Sequence, residues 1–60
     1  MSTLATPSEV ARYLGVSVGS LAQMRHLGRG PAFTKIGSRV RYRWASVESY
    51  VDQQTRQQTS

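Results

Sequence analysis

Sixty residues make at most one small domain, which buries about 60% of its extended-chain surface and has a thin stability margin. With no cysteine and a single histidine, His26, neither a disulfide nor a metal cluster is available to staple it, and no cofactor site is expected. Eight basic residues against three acids give a net charge of +5, and seven of the eight lie in an acid-free block between Glu9 and Glu48. Like charges on so small a body repel one another, so unmixed positive charge points to a polyanionic partner, of which nucleic acid is the commonest.

The N-terminal stretch "MSTLATPSEV" has neither a basic segment nor a long apolar run, so no signal peptide is expected. No stretch approaches the ~20 apolar residues of a membrane span. The default expectation is a soluble, cytoplasmic protein with no membrane partner.

A first helix is predicted over residues 7–14. Thr6 can cap it, Pro7 suits its first position, and Glu9 stands three residues after the cap, as in a capping box. Val10, Tyr13 and Leu14 recur at helical spacing, and Gly15 can take the left-handed stop. Ser17 then reads as a second cap, with Val16 and Leu21 at the positions of a hydrophobic staple. Leu21 and Met24 form the apolar stripe of a second helix, Leu27 lies near its end, and Gly28 can stop it. Two short amphipathic helices joined by "GVS" have the outline of a helix-turn-helix.

"GRGP" at residues 28–31 breaks the helical period. "AFTKIG" and "RVRYR" follow as strand-like runs around Gly37 and Ser38, the signal of a β-hairpin. Two registers compete. A two-residue turn sets Phe33 opposite Tyr42 and leaves Ile36 on the arginine face. A three-residue loop through Arg39 pairs Ile36 with Val40, and is preferred because that pair buries better. Trp44, Val47 and Val51 mark a third helix beginning at residue 44 or 46, with Ser46 available as its cap, and ending in the low fifties. The tail "QQTRQQTS" has nothing apolar to bury and is expected to fray.

The expected fold is therefore mostly α with a small β-hairpin. It is a winged helix-turn-helix over residues 1–52 (helix, helix, two-stranded wing, helix) with a polar tail over 53–60. Tyr13, Tyr42, Trp44 and Tyr50 are expected in the core rather than as base-stacking residues, because so short a chain needs its aromatics inside. With no apolar patch left over, a monomer in solution is expected.

The pattern "S-E-V-A-x-Y-L-G-V-S" over residues 8–17, with Leu21 and Arg25 in the second helix, "G-R-G-P", "K-I-G", "R-V-R-Y-R" and an aromatic or apolar third helix, resembles the small excisionases of phages and prophages, especially the mycobacteriophage type. More widely it resembles the AlpA and MerR-like winged helices. The resemblance covers about residues 4–51, with Ser46 where many relatives carry an acid. It implies a non-enzymatic architectural factor that binds adjacent DNA sites near a phage attachment site, often head to tail, and bends the duplex. Such a factor steers a tyrosine integrase toward excision.

Candidate contacts follow from that architecture. On the second helix, Gly19, Ala22, Gln23 and His26 lie opposite the core stripe, where a recognition helix meets the major groove. Gln23 can pair with adenine and Ala22 can touch a thymine methyl. Ser17 and Ser20 at the helix start suit phosphates. Arg25, at the edge of the stripe, either clamps a phosphate or pairs with Glu9 or Glu48. In the wing, Lys35, Ser38, Arg39, Arg41 and Arg43 are candidates, with Arg39 at the tip placed to enter a minor groove. The competing account of the wing, charge that merely keeps an edge strand from pairing, is usually served by lysine. Here three arginines accompany one lysine, and arginine's planar fork suits phosphates and grooves.

An AlpA or MerR-like transcriptional regulator would use the same surface, and a basic RNA-binding module is a rival of another class. Catalysis is not expected: Glu9 is spent in a cap, Glu48 and Asp52 stand one turn apart, and no nucleophile–base pair, phosphate loop or small-molecule site is legible.

Overall fold

The computed structural model describes residues 4–57. A two-residue strand, β1 (Leu4–Ala5), leads into α1 (Pro7–Leu14) and α2 (Val18–His26). The hairpin β2 (Thr34–Ile36) and β3 (Arg39–Arg43) follows, and α3 (Trp44–Gln57) closes the chain. The sheet is antiparallel with order β1-β3-β2, so β3 is its central strand. This is a winged helix-turn-helix.

Local chemistry sets the two helices as the sequence predicts. The Thr6 hydroxyl accepts from the Glu9 amide at 3.1 Å, and Glu9 Oε1 accepts from the Thr6 amide at 2.9 Å, completing the capping box. At the other end Gly15 takes φ +75°, which a side chain would resist. Its amide donates to the Arg12 carbonyl while that of Val16 donates to Ala11, a Schellman closure. Ser17 caps α2 by accepting from the Ser20 amide at 3.0 Å. The three-residue turn between the helices is thus fixed at both ends by side-chain or backbone hydrogen bonds.

The core is small: Ala5, Val10, Ala11, Leu21, Tyr42 and Val47 are buried, with Leu14, Met24, Val40 and Trp44 packed against them. Every element but β2 supplies a buried or core-packed residue. Trp44 meets Tyr13 edge-to-face, with ring centroids 5.5 Å apart, and so ties α3 to α1.

Several expectations are corrected. The hairpin uses the two-residue turn: Ile36 pairs with Arg39, Lys35 with Val40 and Thr34 with Arg41. Within this turn positive φ is confined to Gly37, the first central residue, as a type II′ turn requires, and such a turn matches the twist of the flanking strands. This register places Phe33 against Tyr42, ring centroids 6.2 Å apart, in preference to burying Ile36. Ile36 is left 51% exposed.

Ser46 does not cap α3, which starts at Trp44 directly after β3, and the helix runs on through Gln57 rather than ending in the low fifties. Residues 53–57 of the tail expected to fray are therefore helical; Gln58, Thr59 and Ser60 lie outside the described residues. In this last part of the helix the Thr55 hydroxyl donates to the Val51 carbonyl at 3.0 Å. Tyr13 is more than half exposed and Tyr50 is half-buried, so the core takes fewer of the aromatics than expected. Val16 and Val18 are exposed as well, so apolar surface does remain outside the core. Among the described residues no helix is long and apolar enough to cross a membrane.

Candidate nucleic-acid interface

The outer face of α2 is formed by Gly19, Ala22, Gln23 and His26, all exposed except the half-buried Ala22. The core side of the same helix carries the buried Leu21 and the half-buried Met24. Ser17 and Ser20 are exposed at its start, where the first amides of a helix lack intrahelical partners and carry a partial positive charge. The Ser17 hydroxyl donates to Ser20 Oγ at 3.0 Å, which leaves the Ser20 proton for an outside acceptor such as a phosphate. No acid stands in the first turn of α2 to repel one.

The wing is anchored beside this face. Ala22, Arg25 and His26 of α2 and Phe33, Lys35 and Val40 of the hairpin line one cleft of about 270 Å³. The observed register explains why Lys35 is there: its partner is Val40, so both side chains point to the helix side of the sheet. Arg39, Arg41 and Arg43 lie on the other face. Arg39 and Arg43 are exposed, and Ser38 is exposed in the turn itself. Arg41 is half-buried, and its Nη1 donates to the carbonyl of Val40 at 2.7 Å.

Arg25 pairs with neither Glu9 nor Glu48. Its Nη1 donates to the Tyr42 hydroxyl at 2.9 Å, and its guanidinium lies 5.8 Å from the Phe33 ring centroid. Tyr42 is fully buried, so this bond satisfies a hydroxyl that would otherwise be stranded in the core. The geometry makes Arg25 a strut between α2 and the wing, a role that its position at the edge of the apolar stripe hinted at without naming the partner. Phe33 belongs to the same group. Sequence reasoning passed over it because the other register sends it to the opposite face.

Replacing Arg25 by lysine keeps the charge but loses the guanidinium over the Phe33 ring and the directed bond to Tyr42. The expected result is a loss of about 1 kcal/mol in stability and weaker duplex binding with an unchanged salt slope, measured by thermal melts and by titration across a salt series. A phosphate contact would keep most of its affinity with lysine in its place.

Folding gives no reason for a glycine at position 19. It sits in the first turn of α2, and a Cβ built there would approach nothing closer than Ser17 Oγ at 3.9 Å. Helical alanine is favoured over glycine by about 0.5–1 kcal/mol, so Gly19→Ala is expected to raise the melting temperature. It is expected to weaken duplex binding at the same time, because glycine admits a close backbone approach. A stabilised variant with undiminished binding would remove Gly19 from the interface.

Comparison with protein families matches residues 6–55 to the family described as helix-turn-helix domain. That family includes excisionase-like and AlpA-type small DNA-binding proteins. No curated protein sequence matches the chain. The matched span runs from the Thr6 cap into the second half of α3 and takes in both α2 and the wing; the chain belongs to the helix-turn-helix domain family, a family of DNA-binding domains.

Proposed function

We propose that the chain is an excisionase-type architectural factor. It binds double-stranded DNA at repeated sites near a phage attachment site, bends the duplex, and directs a tyrosine integrase toward excision. The observation that carries DNA binding is the seating of an acid-free basic wing against the exposed face of α2, with Lys35 and His26 lining one cleft. The excisionase role is supported by the resemblance to phage excisionases in motifs from "S-E-V-A-x-Y-L-G-V-S" to "R-V-R-Y-R".

On this reading Gly19, Ala22, Gln23 and His26 face base edges in the major groove, and the Ser20 hydroxyl takes a phosphate, while Ser17, expected to do the same, spends its proton on Ser20 and serves as the cap. Arg41 and Arg43 lie along the backbone, and Arg39 at the wing tip reaches the minor groove. The partners are duplex DNA, the integrase, and further copies of the chain on adjacent sites. Neither catalysis nor a cofactor, membrane or small-molecule substrate enters the reading. The protein acts in the bacterial cytoplasm, on the nucleoid.

A second reading, transcriptional regulation, uses the same surface and is favoured by the AlpA-type members of the family. Footprinting the attachment region and assaying excision with the cognate integrase separates the two. Protection together with stimulated excision supports the first; protection with no effect on excision supports the regulator. Preference for RNA over duplex DNA at matched salt would overturn both.

A further inference from the structure

Ile36 stands outside the core cluster, at the end of β2 beside the turn of the wing. It is 51% exposed, and its partner across the turn is Arg39. Directly paired residues hold their Cβ atoms about 4.5–5.5 Å apart on one face of a hairpin, so the tip presents an aliphatic and a cationic side chain together. That face points away from the helices, because Val40 and Tyr42 on the other face make the core contacts.

An edge strand is ordinarily kept from pairing by polar or charged residues. Strand propensity alone does not call for isoleucine, since threonine is also β-branched and serves at position 34 of the same strand. Single exposed apolar residues are common on protein surfaces. This one stands apart by its place, beside an exposed arginine and next to a glycine turn with open space around it.

We propose that Ile36 is an apolar wedge for the minor groove. The inference rests on the duplex-DNA reading and deepens it by naming the residue that deforms the DNA. Arg39 draws the tip toward the negative potential of the groove, and the isoleucine beside it packs on sugar and base edges and opens one base step. Insertion of an aliphatic side chain unstacks a step and kinks the duplex toward the major groove. Pyrimidine–purine steps open most easily, so the kink falls at such a step under the wing.

The test uses the full chain and the duplex recovered by selection from a random-sequence pool. That duplex carries a fluorescent base analogue that brightens on unstacking, placed in turn at each step, and end labels that report bending. The wild-type chain is expected to brighten one step and shorten the end-to-end distance. Ile36→Ser is expected to abolish both, to weaken binding about three- to tenfold, and to leave the salt slope unchanged, because no phosphate contact is lost. Arg39→Ala is expected instead to lose affinity most on A·T-rich sequences. A melting temperature equal to wild type, expected for so exposed a position, certifies the fold of Ile36→Ser.

Equal unstacking and bending by Ile36→Ser overturns the wedge while leaving DNA binding intact. Loss only of cooperativity between successive copies also overturns it, and assigns Ile36 to a contact between copies. Failure of the wild-type chain to bind duplex DNA overturns the wedge and the reading beneath it.

Discussion

Replacing Tyr42 by alanine is expected to unfold the domain. Among the described residues Tyr42 is the largest fully buried side chain; it lies on the central strand of the sheet, in a core cluster of six buried hydrophobic residues. Removing a buried aromatic costs about 3–5 kcal/mol. A domain of this size has a total stability at or below the low end of the usual range, about 5 kcal/mol, so little would remain. The loss is compounded because Phe33 and Arg25 both rest on Tyr42, by ring contact and by hydrogen bond. Circular dichroism should show a collapsed helical signal and no cooperative melt. Tyr42→Phe separates packing from the polar bond. It keeps the ring, strands no buried hydroxyl, and frees the half-buried Arg25 to solvent, for a cost of about 1 kcal/mol. A Tyr42→Ala variant that melts like wild type would contradict the core described here.

The second large effect is on binding rather than folding. Exchanging Arg39, Arg41 and Arg43 for alanine together removes three of the seven positive charges in the acid-free block. None of the three side chains lies on the core face of β3, where Val40 and Tyr42 pack, so the fold is expected to survive. If each neutralises one phosphate, the slope of log affinity against log salt becomes shallower by about 2.7, and affinity at moderate salt falls about a hundredfold or more. Isothermal or fluorescence titration at several salt concentrations measures both. A folded triple variant that binds duplex DNA as the wild type does would reduce the wing to a solubilising edge.

The parts of the fold legible in the sequence are those written in local chemistry. Thr6 with Glu9, Ser17 with Ser20, and Gly15 act within one turn, so their residue types and spacing predict both helix starts and the first helix end. What was not legible depends on partners distant in the chain. The hairpin register turns on Phe33 meeting Tyr42 and Arg25, a trio spread over α2, the loop before β2, and β3. Judged from the hairpin alone, Ile36 with Val40 looks the better pair. β1 has only two residues, and pairing with β3 creates it; "LA" has no strand signature of its own. The length of α3 was missed because no apolar residue follows Val51, though glutamine and arginine are good helix formers once a helix has been nucleated by packing.

The site divides in the same way. The outer face of α2 follows from helical periodicity and was placed correctly on the surface, as was Arg39 in the wing. Arg25 was ambiguous because its partner lies 17 residues away, and Lys35 was separated from the arginines only by the register. A sequence gives the alternation of a strand more readily than it gives which face meets the helices.

The central claim is that the unmixed positive charge of α2 and the wing holds duplex DNA. It is tested most directly by titrating the full chain with duplex DNA over a range of salt concentrations. With ~5 phosphates neutralised, log affinity should fall against log salt with a slope of about −4 to −5. A flat salt dependence would contradict the claim.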